Sequence, residues 1–379
     1  MITIANGIIL KDSTLTPLKE NILIDDGKII EISKDILEGE IIDASNSIVA
    51  PTLINSHTHI GDSIIKDEGY GLSFDEVVKP PNGIKHLALE NAEDIDIINA
   101  MKESLNEMVQ SGTSHFIDYR EGGLKGVKLL KEASKDIPIK PIILARDNLF
   151  HENDPDLKKV KIAIRKLLKV ADGIAPSGFG EISQEVANLI TEECFKNNKI
   201  SSIHVAETVK AQNNSISKHQ HSEVELAIKN NFNQLVHFTN PINNDLNLIN
   251  KNTNITICPR ANSALSCGIP PLEKLLNKNL SLSIGTDNVM VNSPNMFREL
   301  EFTFKTMLNS SNNYINSKNI LKLAMNNSLI KNKSFIKEGN FCEIFISTRL
   351  SKNPYLSIIN RCETKHIINI INKDTIINK

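Results

Sequence analysis

The 379-residue chain has no tryptophan and only 4 tyrosines, and none of its apolar runs approaches the roughly 18 residues needed for a membrane-spanning helix. A helical membrane protein is not expected. The N-terminus, MITIANGIILKD, lacks the positive leader of a secretory signal, which points to a cytoplasmic protein. An excess of one charge is missing too, with 43 Lys and Arg against 45 Asp and Glu. Without a basic surplus the electrostatic footprint of a nucleic-acid binder is absent, and a small molecule becomes the expected partner. The 5 cysteines (Cys194, Cys258, Cys267, Cys342, Cys362) show no CxxC spacing, which argues against both a disulfide framework and a thiolate zinc site. They read as buried thiols. The abundance of Ile, Asn and Lys carries no functional weight.

What is present is enough for a large core: 40% of residues are hydrophobic and 23% charged, near the globular average. The length exceeds one average domain of about 100–200 residues and suits a barrel with an accessory module. Residues 1–50 alternate apolar runs with turn signals, among them Asp25-Asp26-Gly27, where Asp and Gly tolerate the positive φ of a hairpin turn. A small β module is expected there. From Pro51 the pattern changes to short apolar runs separated by helical periodicity, with strands expected at 53–59, 114–119, 141–146, 173–177, 202–206, 234–238, 255–259 and 280–287. The clearest helix is 94–110, with Ile97, Met101, Leu105 and Met108 on one face and Gly112 as its stop.

Eight such strands predict an α/β fold, a (β/α)8 TIM-type barrel over 51–335. After it, β pattern returns at 342–347, 367–371 and 375–378, so 336–379 is expected to complete with 1–50 a β-sandwich module made by both chain ends. An insertion at Lys79-Pro80-Pro81-Asn82-Gly83 suits a wall or lid, and 309–313 reads as an Asn-rich loop.

Reactive groups of such a barrel stand at the C-terminal ends of its strands. His57 and His59 end the first strand, and the period of 2 points both rings to one side. One HxH arises by chance in about one chain in four of this histidine content, and His219-Gln-His221 is expected to be such a pair on the surface. Order supplies the specificity: His204 ends the fifth strand, His237 the sixth and Asp287 the eighth, so five metal-competent side chains converge on one point of the rim.

The pattern His57-x-His59, His204-x-x-Glu207, His237 and Gly285-Thr286-Asp287 resembles the amidohydrolase superfamily, in the branch of cytosine, guanine and S-adenosylhomocysteine deaminases and triazine hydrolases. The likeness extends to Cys258-Pro259-Arg260-Ala261-Asn262 and to the tail Lys337-Glu338-Gly339-Asn340, although that tail continues as Phe341-Cys342-Glu343 where the family has Ala-Asp and an apolar strand. It implies a Zn²⁺, with Fe²⁺ as the alternative ion, held by His57, His59, His204 and Asp287, and a water whose pKa falls toward 7. Asp287 would take the water's proton, Glu207 would protonate a ring nitrogen and the leaving amine, and His237 would stabilise the tetrahedral oxygen. Binuclear relatives carry a lysine at the end of the fourth strand, and here that end reads Ile174-Ala175-Pro176-Ser177, so one metal per chain is expected.

The expected activity is deamination of an amino-substituted, nucleobase-like heterocycle. Hydrolysis of a cyclic amide or amidine, as by imidazolonepropionase, is the alternative enzyme, and a non-catalytic scaffold the alternative outside enzymes. Whether the chain forms a homo-oligomer is open. Arg120, Glu121, Arg146, Ser177, Arg260 and Asn262 follow other strand ends and are the candidates to face substrate. Three arginines suggest an anionic substituent, with structural ion pairing as the competing explanation. Ser293-Pro294 is expected to cap a helix aimed at the rim. His86 is expected at the surface, His115 and His366 in structural roles, and His151 is left unassigned.

Overall fold

A computed structural model describes residues 1–379 apart from 80, 81, 243, 279, 312, 313, 332, 374 and 379. The expectations for Pro80, Pro81, Asn312, Asn313 and Asp374 therefore lie outside the described residues. The parallel strands β1 (Leu53–His59), β2 (Thr113–Arg120), β3 (Lys140–Ala145), β4 (Gly173–Ile174), β5 (Ile200–Val205), β6 (Gln234–His237), β7 (Asn254–Ile257) and β8 (Ser281–Ile284) pair each with the next. The eighth strand differs from expectation, because it is broken at Gly285-Thr286. β8 pairs with β7, while its continuation β9 (Asp287–Asn288) pairs with β1 through Asp287 opposite Thr58, which closes the barrel.

The break coincides with a close approach of two strands. A Cβ on Gly285 would stand 2.5 Å from the backbone nitrogen of His57 and 2.8 Å from its Cβ, so only glycine lets the eighth strand pass this close to the first. Gly285→Ala is expected to cost about 1–3 kcal/mol of stability, the range for overpacking a core. Urea unfolding measures it, and an unchanged midpoint would contradict the argument.

Between β1 and β2 the chain forms α1 (Phe74–Val78), α2 (Ile84–Asn91) and α3 (Asp94–Gln110). The α3 face Ile97, Met101, Leu105 and Met108 is buried against the barrel, as its spacing requires. α1 and α2 belong to the insertion that follows β1.

The chain ends build two further sheets. Lys28–Ser33, Asn21–Asp25, Ile2–Ala5 and Glu40–Asp43 lie side by side in one. The other runs Thr375–Asn378, Ile367–Asn372, Glu343–Thr348, Ser47–Pro51, Ile8–Lys11, Thr16–Leu18. Ile4, Ile22, Val49, Ile344 and Ile371 share the core of this module. Ser47–Pro51 pairs with Glu343–Thr348 and runs through Thr52 into β1, so the module is coupled to the strand carrying His57 and His59. The helix Pro354–Arg361 fills the gap between the strands expected at 342–347 and 367–371, where the sequence reading assigns no element. Its start is marked by Asn353, which accepts from the Tyr355 and Leu356 amides, and by Pro354. After the eighth strand the cap is Asn295 rather than Ser293, since the Asn295 side chain accepts from Phe297 and the helix begins at Met296. Among the described residues no helix is long and apolar enough to cross a membrane.

Candidate active site at the barrel rim

His57 and His59 fall at the end of β1, His204 near the end of β5, His237 at the end of β6 and Asp287 just past the break in the eighth strand. Their atoms meet. His57 Nε2 is 3.1 Å and His59 Nε2 3.6 Å from Asp287 Oδ1. The His57 and His204 rings lie 5.1 Å apart, and His204 and His237 4.8 Å apart. Three overlapping sets have ligand atoms mutually within 4.8 Å: His57, His59, His204; His57, His237, Asp287; and His204, Glu207, His237.

The backbone is bent to achieve this. Ala206, His237, Phe238 and Asp287 have φ of 51°, 76°, 50° and 62°, a left-handed region that non-glycine residues enter at a cost and that clusters at functional sites.

Electrostatics suit a cation. Burial pushes His57 and His59 down to about 3, His237 to about 4, and His204 well below the usual range. All four are thus neutral imidazoles, the form that ligates metal. His57 Nε2, His204 Nε2 and Asp287 Oδ2 are buried and make no hydrogen bond. Orphaned buried groups of this kind are costly, and a divalent ion with N and O ligands would satisfy them together; the donor set fits Zn²⁺.

Beside them, Glu207 Oε2 faces His237 Nε2 at 3.5 Å, with the glutamate side chain 15% exposed. Burial, reinforced by the Asp287, Glu223 and Glu181 charges, holds the Glu207 carboxyl well above its usual range. Asn262 Nδ2 donates to His237 Nδ1 at 3.1 Å, which puts the ring proton on the nitrogen facing Glu207. Asn262 is thus buried behind His237 rather than facing substrate.

The other substrate-facing candidates separate. Arg146 and Ser177 line the pocket, and Arg146 Nη1 donates to Ser177 Oγ at 2.6 Å. Arg120 turns inward, its Nη2 2.8 Å from Glu121 Oε2 and its Nη1 3.6 Å from Asp118 Oδ2. Arg260 is held by Glu299 at 3.7 Å and the Ser293 carbonyl at 3.2 Å. Neither Arg120 nor Arg260 lines the pocket, because buried carboxylates of the barrel occupy their guanidinium groups. Glu121 sits behind His59, accepting from its Nδ1 at 3.0 Å. Burial alone would raise Glu121, but Lys85, Arg146 and His59 hold it well below the carboxylate range.

Histidines outside the cluster fall elsewhere. His86 is half-buried rather than on the surface, its Nε2 3.0 Å from the Val78 carbonyl. His219 and His221 engage Gln184 and Glu225 away from the rim. His115 is buried beside Ser114, and His151 stands 3.8 Å from Glu181.

Sequence reasoning missed three residues of the site. Tyr119 stacks on His204 at 4.8 Å and 6° and meets His57 edge-on at 4.4 Å; its place on β2 facing the barrel interior was the available signal. Lys85 and Glu181, both lining the pocket, come from segments without a regular strand position.

Residues 48–327 match the amidohydrolase family model. The chain is 43% identical over 382 residues to a putative aminohydrolase of Methanothermobacter thermautotrophicus, covering 100% of both chains. It is 26% identical over 374 residues to a 5′-deoxyadenosine deaminase of Methanosphaera stadtmanae, covering 90% of this chain and 84% of that one. The crystal structure of an adenosine deaminase from Xanthomonas campestris with bound zinc superimposes with a TM-score of 0.85, covering 99% of this chain and 92% of that one at 12% identity. At that identity the likeness is one of fold.

Proposed function

The chain belongs to the amidohydrolase family, and from that premise we propose that it is a metal-dependent aminohydrolase releasing ammonia from a neutral, amino-substituted heterocycle. The observation that carries the reading is the pairing of Glu207 with His237 at 3.5 Å directly beside the orphaned nitrogens and oxygen of His57, His204 and Asp287. His57, His59, His204 and Asp287 would hold one Zn²⁺, and the absence of a lysine at the end of β4 supports a single ion. When bound, the ion supplies Lewis acidity that lowers the pKa of water in the site toward neutrality.

The chain's own groups do the rest. Asp287 Oδ2, without a hydrogen-bond partner, accepts the proton of the attacking water. Glu207, kept protonated by burial, gives its proton to a ring nitrogen and so raises the electrophilicity of the carbon beside it. Now a carboxylate, Glu207 takes the proton of the hydroxyl on the attacked carbon and passes it to the departing amine, which leaves as ammonia as the C=O forms, and the proton held by Asp287 restores the Glu207 carboxyl. His237 presents Nε2–H to the negative charge that develops on the attacked carbon's oxygen, and Asn262 holds its ring in that tautomer.

The pocket's charges support a neutral substrate. Lys79 and Lys210 pair with Asp75, and Lys85 and Arg146 with Glu121. Glu181, Glu207, Glu223 and Asp287 line the same pocket. Among the described residues, each of these pocket cations thus already has a carboxylate partner, so an anionic substituent would have to compete for it. The anionic substituent suggested by three arginines loses two of them.

An ammonia-release screen pairs free bases and neutral nucleosides with phosphorylated and carboxylated counterparts. The neutral members are expected to lead in kcat/KM by at least about tenfold, the order expected when a ligand charge must be buried unpaired. An anionic member leading by that margin would overturn the substrate assignment, and no ammonia from any member would overturn the reading itself.

A further inference from the structure

We infer that Lys85 is a positioning residue for the metal site, bracing from one ammonium the two carboxylates that stand behind the ligands His59 and Asp287. The inference rests on the ligand assignment above. Lys85 lies in the first turn of α2, outside the barrel, yet only 2% of it is exposed. Lysine is rarely buried without a partner that needs it. Its Nζ is 2.7 Å from Glu121 Oε1 and 3.7 Å from Asp62 Oδ2.

Each carboxylate supports a different strand end. Glu121 Oε1 also accepts from His59 Nδ1 at 3.0 Å, which fixes the tautomer that leaves the Nε2 lone pair turned toward Asp287, 3.6 Å away. Glu121 Oε2 is pinned separately by Arg120 at 2.8 Å, so Lys85 is the shortest partner of the oxygen that orients His59. Asp62 accepts from Asn288 Nδ2 at 2.7 Å and from the Met290 amide at 3.1 Å, holding the chain that follows Asp287. Lys85 thus bridges the supports of β1 and β9, the two strands whose pairing closes the barrel.

The arrangement couples the mouth to the metal. α1 and α2 are packed together, and Phe74, Val78 and Lys79 from the α1 region line the pocket alongside Lys85.

The test uses the full-length chain stripped of metal. Zn²⁺ affinity is measured by competition with a chromophoric chelator, and site geometry by the visible absorption of Co²⁺. Lys85→Met is expected to weaken Zn²⁺ binding about 10–100-fold, the cost typical of removing a group that orients a ligand, and to alter the Co²⁺ spectrum. Glu121→Gln is expected to do the same, and the double variant to be no weaker than the worse single one, because both changes break one chain of contacts. Additive losses, or parental affinity and spectrum in folded Lys85→Met, would overturn the inference. Should Lys85→Met not fold, Lys85→Gln, which keeps a neutral donor, is titrated instead; a loss of affinity supports the inference and parental affinity overturns it. His59→Ala serves as the separate check, since parental Zn²⁺ binding in that variant would remove the ligand assignment rather than the role of Lys85.

Discussion

Glu207→Gln is expected to retain metal at the parental level and to lose about 10³-fold or more in kcat, within the upper range for removing a positioned general acid–base. The amide has the shape of the carboxyl and can still meet His237 Nε2, now 3.5 Å from the glutamate oxygen, so the pocket is preserved. It cannot give a proton to a ring nitrogen or pass one to a leaving amine. A group that only bound substrate would show its loss mainly in KM, whereas a proton carrier shows it in kcat. The measurements are ammonia release under saturating substrate and metal per chain of the same preparation. A variant with near-parental kcat would remove Glu207 from the chemistry, and with it the deaminase reading.

Much of this architecture is legible in the sequence because it is written by local rules. β1 was expected at 53–59 and is found at Leu53–His59, and the helix at 94–110 is found at Asp94–Gln110. The helix is a long segment whose apolar spacing leaves one assignment open. The histidine set is legible for the same reason, since a residue at the end of a barrel strand has its position fixed by the strand itself.

What the sequence hides is what depends on contacts between distant segments. The requirement for glycine at 285, where the eighth strand is broken, follows from the close approach of His57, more than 200 positions away in sequence. Arg120 is the last residue of β2, Arg146 directly follows β3 and Arg260 lies three residues past β7, yet of the three only Arg146 lines the pocket. Arg120 and Arg260 are captured by Asp118, Glu121 and Glu299, partners that no spacing rule pairs with them. Lys85 is the converse: an unremarkable lysine in an insertion that the fold buries against Glu121. Side-chain direction at a strand end is set by whichever opposite charge is buried nearby, which is a tertiary fact.

His204→Ala is expected to abolish metal binding and to bring kcat to background while the fold survives. The His204 ring is held flat against Tyr119 at 4.8 Å, so its orientation is fixed before any ion arrives. Its Nε2 is buried without a hydrogen bond, as are His57 Nε2 and Asp287 Oδ2. In the metal-free parent these orphaned groups are a burden of about 1–3 kcal/mol each, and metal binding relieves them. Adding Zn²⁺ should therefore raise the melting temperature of the parent, since an ion that binds the native state alone stabilises it by mass action. In His204→Ala that increment should vanish. The metal-free variant should melt near the metal-free parent, because the cavity left by the ring opposes the relief of one orphaned nitrogen. Elemental analysis should give one metal per parental chain and none in the variant. Stoichiometric metal in His204→Ala, with the melting increment intact, would mean that His237 completes the site in its place, an arrangement for which the set His57, His237, Asp287 already has the spacing. Two ions in the parent, both required for turnover, would instead contradict the mononuclear site argued from the missing lysine at the end of β4.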